Sequence, residues 1–354
     1  MRVVVCGRGA ADHRSALWTH VMGSLRHIGH EVVGFDPTSP GRSGTARGAT
    51  VDALRAVLRR FEPELFVHVP TPGDLSGADV RALTAESQSI SVALHTSTVL
   101  GDAVTRVGDA EEHLLDYDLV AVPDPSVADA LAEVGGYRLA CLEGAVHTPA
   151  LDDAVATDRH GVVIVGEPDD RGADIVRALV ATGREVSLYG SGWSLLPDLE
   201  PMSFPRLGHP ELATALAGAE LVIELPPTAA NLSHARCSAW EVPVGQVVLE
   251  AAAVATPSIT LERPGVAAAM QPGMDIATYA TDEDVPTLVS MLLSDPEGLR
   301  QMGEAAADTV RRRHLWVQRW NTLLSPFECP DDDGELVIRQ APAVAARNEV
   351  PATV

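Results

Sequence analysis

The chain has 354 residues, enough for two domains of ordinary size, and 46% hydrophobic residues, enough to build real cores. Aromatics make up only 4%, so Val, Leu and Ala do most of the packing. A net charge of -23 argues against nucleic acid or an anionic membrane as the main partner, because both repel such a surface; a local basic pocket for a small anion remains compatible with it.

Met1-Arg2-Val3-Val4-Val5 reads as a first strand; its apolar run is too short for a signal peptide. No stretch approaches the length of a transmembrane helix. Cys6, Cys141, Cys237 and Cys329 lie far apart with no C-x-x-C spacing, which suits reduced thiols and a cytoplasmic location.

The first half alternates apolar runs with helical patterns. Strands are expected at Val3–Cys6, Glu31–Phe35, Leu65–Val69, Ile90–His95, Leu119–Val122 and Leu139–Leu142. Helical segments such as Ala16–His27, Val51–Arg60 and Ser126–Glu133 lie between them. Near-continuous Val/Ile/Leu strands separated by helices are the mark of a doubly wound parallel sheet.

A polar, Asp-rich stretch around Thr148–Arg159 reads as a linker. The alternation then restarts, with strands at Gly161–Val165, Glu185–Tyr189, Leu221–Leu225 and Ser258–Leu261 and a helix at Gly172–Thr182. Glu297–Arg313, opened by Pro296, and His314–Leu324 read as closing helices. The expected division is a first α/β domain over 1–150, a second over 151–313, a closing helix over 314–327 and a flexible acidic tail over 328–354. Two tandem α/β units imply a cleft where strand ends from both sheets meet a ligand.

The turn Gly7-Arg8-Gly9-Ala10-Ala11-Asp12, with Asp36 after the second strand, comes near a dinucleotide fingerprint but lacks its third glycine. His13 and Arg14 follow at the carboxyl end of the first strand. A histidine there suits a base that takes a proton from an acceptor hydroxyl, and an exposed loop residue fits equally. His95, after the fourth strand, has the same two readings. Gly166-Glu167-Pro168-Asp169-Asp170-Arg171 joins a strand to a helix; its backbone N–H groups attract an anion, and Arg171 either grips a phosphate or pairs with Asp169 or Asp170. Gly190-Ser191-Gly192-Trp193 allows close approach of a planar ligand, or is a glycine turn over a packing indole. On the alanine-rich helix opened by Gln246, Glu250 suits a hydrogen bond to a sugar or ribose hydroxyl, and it also fits a surface carboxylate. No H-E-x-x-H, H-x-x-x-H, G-x-S-x-G or Walker sequence occurs, and no metal site is expected.

Taken in order, these segments resemble the CgeB-type (spore maturation protein) branch of the GT-B glycosyltransferases over roughly residues 1–325. The resemblance rests on His13-Arg14-Ser15 with Trp18, Gly29-His30-Glu31-Val32, Phe35-Asp36 and Asp116-Tyr117-Asp118-Leu119-Val120 in the first half. In the second it rests on Val165-Gly166, Arg171, Leu188 through Trp193, Gly208, Leu249-Glu250-Ala251, Pro272-Gly273-Met274-Asp275, His314 and Arg319.

It implies a GT-B fold, two Rossmann-like domains facing a central cleft. It also implies a metal-independent sugar transfer from a nucleoside-diphosphate-sugar co-substrate to a small-molecule, glycan or protein acceptor, with no cofactor. The implied donor site takes Gly166, Arg171, Gly190, Trp193, Gln246 and Glu250, and His13 or His95 is the base if the reaction inverts. The Arg-x-Phe-Glu of the relatives is replaced by Val247-Val248-Leu249-Glu250, and Glu241 and Glu250 have eight residues between them, where retaining transferases have seven between their two glutamates. Those departures keep open a non-catalytic GT-B-like binding protein; the shared two-domain cleft keeps open a nucleotide-sugar epimerase.

Overall fold

The computed structural model describes residues 1–38, 47–70, 75–95, 114, 116–123, 125–134, 136, 138–154, 159–225, 244–330 and 336–338. Two six-stranded sheets, parallel throughout, carry the architecture.

The first sheet holds β1 (Arg2–Gly7), β2 (Glu31–Phe35), β3 (Leu65–Val69), β4 (Ile90–Leu94), β5 (Leu119–Val122) and β6 (Leu139–Cys141), in the order β2-β1-β3-β4-β5-β6. Val3, Val4, Val5 and Cys6 are all buried, as expected of a strand covered on both faces. Its first crossover is not one regular helix. Leu17–Met22 is wound as a π-helix and only Gly23–His27 (α1) is α-helical. The wide turn is an insertion of the kind that marks functional positions, and it carries His20.

Among the described residues, helices α2 (Arg47–Phe61), α3 (Gly77–Ser87) and α4 (Pro125–Val134) also belong to this half. Helix α3 starts on a capping box: Ser76 Oγ accepts from Asp79 N while the Asp79 carboxylate accepts from Ser76 N.

The second sheet holds β7 (Val162–Val165), β8 (Val186–Tyr189), β9 (Ser203–Phe204), β10 (Leu221–Ile223), β11 (Ser258–Leu261) and β12 (Ala277–Tyr279), in the order β9-β8-β7-β10-β11-β12. Its helices are α5 (Asp170–Ala181), α6 (His209–Ala217), α7 (Gln246–Ala253), α8 (Pro264–Ala269), α9 (Val285–Leu293) and α10 (Pro296–Arg313). Strand order reverses between β7 and β10, so the crevice beyond their carboxyl ends is where such a sheet binds ligands. β9 and β12 were not expected; runs of two and three residues are too short for a periodicity signal.

The last long helix, α11 (Trp316–Leu324), returns to the first half. Trp316, Trp320, Leu323 and Leu324 share a core with Val3, Val5, Leu65 and Val67. Trp320 donates its indole N–H to Ser24 Oγ at 2.8 Å. The chain between the sheets is held to the start of α11: Val146 N donates to His314 O at 2.9 Å and Trp316 N to Val146 O at 3.0 Å. Within the stretch expected to be a tail, β13 (Glu328–Pro330) pairs antiparallel with β14 (Leu336–Ile338). A short ladder therefore replaces featureless chain there, and Asp331, Asp332 and Asp333 lie outside the described residues.

Candidate functional site

The turn after β1 is closed by its own side chains. Gly9 N donates to Asp36 Oδ2 at 2.7 Å, and Asp36 Oδ1 accepts from Thr38 N at 2.7 Å. A carboxylate thus occupies the N–H that a phosphate would use, which turns the near-fingerprint into a structural turn. Ser15 Oγ donates to Gly9 O and accepts from Trp18 N, so it caps the helix that follows.

His13 is exposed, its ring edge-on to Trp18 with centroids 4.0 Å apart. Arg14 reaches the other half. Its carbonyl accepts from His209 N at 2.8 Å and its guanidinium pairs with Glu211 at 2.9 Å. The loop bearing His13 is therefore docked on the start of α6.

Beneath this contact lies a buried trio. His20 comes from the π-helix of the first half, His209 from the first position of α6 and Glu250 from the middle of α7. His20 Nε2 is 3.0 Å from Glu250 Oε1 and 2.8 Å from His209 Nε2; His209 Nε2 is 3.4 Å from the same carboxylate oxygen. Each residue is at most 4% exposed. Burial pushes the Glu250 carboxyl upward, but its contacts with His20 and His209 outweigh it and hold it at about 2, so it is ionised. Burial lowers His20, the Glu250 contact only partly offsets this, and His209 lowers it further.

The trio has the composition of a metal site, with all donor atoms within 4.8 Å of one another. His147 N, however, donates to His20 Nδ1 at 2.9 Å. A nitrogen that accepts an N–H carries no proton, so the neutral ring carries it on Nε2, the atom a metal would need free. The arrangement fits a hydrogen-bonded cluster.

Of the donor-site candidates, Gly166, Gly190 and Trp193 come together. Trp193 is fully buried and donates its indole N–H to Gly166 O at 2.8 Å, so it braces the glycine loop and offers no ring face to a ligand. Gly190 has φ +156°, and a Cβ there would fall 1.9 Å from Gly166 O. Arg171 is engaged elsewhere: its Nε and NH2 reach Asp282 at 2.7 and 2.6 Å, and NH2 also reaches Tyr279 Oη at 3.2 Å. Its partner is thus Asp282, not Asp169 or Asp170; Asp169 caps α5 through Gly172 N at 2.7 Å. Outside the glycine turns a hollow of about 540 Å³ is lined by Glu167, Asp169, Asp170, Ser191 and Leu195. Its carboxylates suit a phosphate poorly.

Gln246 opens α7 and donates to Ala145 O at 3.2 Å, tying the helix to the chain between the sheets. His95 stands at the end of β4, with Nε2 buried and unpartnered among the described residues. Burial, then the neighbouring His68, lowers it to about 4, so at neutral pH it is uncharged and a weak proton acceptor. Glu241 lies outside the described residues.

Sequence reasoning missed His20, His147 and His209, and also a buried pair at the switch point. Glu224 follows β10; one oxygen accepts from Gly245 N, the N-cap of α7, and the other from Thr260 Oγ1 and from Arg263 NH2 at 2.9 Å. An acid placed directly after an apolar strand was the available signal for Glu224. The histidines gave none, because nothing in the stretches around His20, His147 and His209 marks the distant residues they meet.

Comparison with known proteins followed from this geometry. Residues 171–325 match the family model for glycosyl transferase-like proteins. No curated protein matches the chain by sequence. Among solved structures, the chain resembles sucrose-phosphate synthase of Thermosynechococcus elongatus at TM-score 0.62 and 14% identity, covering 92% of this chain and 98% of that one. It resembles Anabaena HepE, solved with UDP and glucose, at TM-score 0.63 and 12% identity, covering 92% and 99%. It also resembles a UDP-GlcNAc 2-epimerase of Neisseria meningitidis, solved with UDP-GlcNAc, at TM-score 0.54 and 8% identity, covering 88% and 99%. The fold is that of the GT-B glycosyltransferases.

Proposed function

We propose that the protein transfers a sugar from a nucleoside-diphosphate-sugar to an acceptor hydroxyl, and that it is of the CgeB-like type. The observation that carries this is the glycosyl transferase-like match over residues 171–325, on the half that holds the β7–β10 switch point, the glycine turns and Glu250. Residues 1–150 serve the acceptor side and 151–313 the donor side, with 314–327 as the brace. Gly166 and Gly190 give the donor a backbone lining, and Gln246 and Glu250 face its hydroxyls. No metal or cofactor is required, because helix N-termini neutralise the diphosphate. HepE, which binds UDP-glucose, supports UDP-glucose as the first donor to try. The reaction belongs in the cytoplasm, where such donors are found. His13, exposed and on the docked loop, suits a cleft base better than His95.

A second reading is a non-catalytic binding protein of this fold. It is favoured by the engagement of Glu250 with two histidines and of Arg171 with Asp282.

Calorimetry and thermal shift with UDP, GDP, TDP and their sugars test the proposal, followed by product analysis with and without acceptors. No binding by any of them would falsify it. Binding without turnover selects the second reading, and isomerisation of UDP-GlcNAc without an acceptor selects an epimerase.

A further inference from the structure

We propose, resting on the transferase reading, that His20 and His209 are positioning residues. His20 donates to one oxygen of Glu250 across the two halves of the molecule, His209 accepts from the same His20 N–H, and the other carboxylate oxygen is left for a donor hydroxyl.

The proton inventory of the cluster decides the roles. His147 N fills Nδ1 of His20, so Nε2 of His20 carries the proton. That proton faces Glu250 Oε1 at 3.0 Å and His209 Nε2 at 2.8 Å. Two N–H groups pointed at each other over 2.8 Å would repel, so His209 Nε2 is an acceptor and its proton sits on Nδ1. Nδ1 of His209 is buried and has no partner among the described residues. This cost, of the kind a purely structural core would shed, is explained if the ring is kept for what Nε2 faces.

Glu250 Oε1 is thus occupied by the His20 N–H of the first half. Its Oε2 makes no hydrogen bond among the described residues, yet it is not among their fully buried, unpartnered atoms, so it keeps a trace of exposure. One carboxylate therefore has a bound oxygen and an available one. Its aim depends on how the two halves are docked, because His20 belongs to the first and Glu250 to the second. Donor binding is in this way coupled to the seating of the π-helix against α6 and α7. Among the described residues, other titratable groups near the cluster include His147, His27 edge-on to it at 5.3 Å, and Asp152, which acts on His147.

UDP-glucose binding to the full chain, by calorimetry at pH 7.5, tests this with His20→Leu, His20→Gln and His209→Asn. Gln places an amide N–H where Nε2 stood, and Leu places none. His20→Leu is expected to weaken binding about tenfold and His20→Gln to stay within about threefold of wild type. If His20→Leu does not fold, His209→Asn, which removes Nε2 but keeps a polar group, is expected to weaken binding several-fold. Unchanged affinity in a folded His20→Leu or His209→Asn overturns the positioning role while leaving the transferase reading intact. Absence of binding in wild type overturns both. Stoichiometric zinc in wild type that is lost in His209→Asn overturns the hydrogen-bonded reading.

Discussion

His20 Nε2 lies 3.0 Å from Glu250 Oε1, although the two residues are 230 positions apart in the chain and belong to different sheets' halves. The bond joins the π-helix of the first half to α7 of the second, in a place only 2% exposed at either residue. An ionised carboxylate survives there because the His20 N–H is bonded to it.

Removing that carboxylate leaves the His20 N–H without its charged acceptor. Glu250→Ala is expected to cost about 2–3 kcal/mol of unfolding free energy, in the range of a buried hydrogen bond to a charged group. Glu250→Gln, which keeps an oxygen acceptor, is expected to cost about half as much. Urea unfolding of the two variants checks the order; equal losses would contradict it.

Acid should weaken the fold in two stages. In the unfolded chain histidines titrate near 6.5. In the fold, burial, then the neighbours His27 and His20, hold His147 at about 4, and burial with His68 holds His95 at about 4. The folded values are depressed, so the unfolded state takes up protons first. This contribution is complete above about pH 6.5 and is lost as pH falls towards 4. Glu250 is likewise depressed, to about 2, so its contribution is complete above the usual carboxyl range near 4.5 and is lost as pH falls towards 2. Urea midpoints from pH 8 to 3 should show the first stage flattened in His147→Gln relative to wild type. Parallel curves would count against these assignments.

The brace formed by α11 is tested at Trp320, which is fully buried in the first-half core. Trp320→Ala removes the indole and its bond to Ser24, and is expected to cost about 3–5 kcal/mol. Hydrogen exchange should then show β1 and β3 losing protection before β7 and β10; uniform loss would mean that the halves unfold as one unit.

Gly190→Ala forces a Cβ to within 1.9 Å of the Gly166 carbonyl at φ +156°. The backbone must move, at roughly 1–3 kcal/mol. Near-ultraviolet dichroism should report it through Trp193, whose indole is tied to the same carbonyl. An unchanged spectrum and midpoint would show that the two turns are not packed this way.

Arg171 and Asp282 form a two-pronged pair, with NH2 to Oδ1 at 2.6 Å and Nε to Oδ2 at 2.7 Å. Arg171→Lys cannot reproduce both prongs, and is expected to lower stability by about 1 kcal/mol while UDP affinity stays within about threefold. A tenfold loss of UDP affinity at unchanged stability would return Arg171 to the phosphate site.

Much of the fold was legible in the chain. Buried parallel strands need unbroken runs such as Val3–Cys6 and Val162–Val165, and their alternation with helices leaves few topologies. Short elements such as β9 escaped because two residues hold no period. The glycine turns of the second half were visible because glycine is conspicuous where backbone must bend through positive φ. Glu250 was visible because a lone acid stands out on an alanine-rich helix.

What that acid touches was not visible. By itself the sequence determined two α/β halves, a glycine-lined second half and one suspicious carboxylate, since these follow from local periodicity and residue type. Only the tertiary structure decided that His20, His147 and His209 converge on Glu250, that Asp282 holds Arg171 and that Trp193 faces inward. Each of these depends on how distant segments dock, and nothing in a local stretch encodes which distant partner its polar atoms will meet.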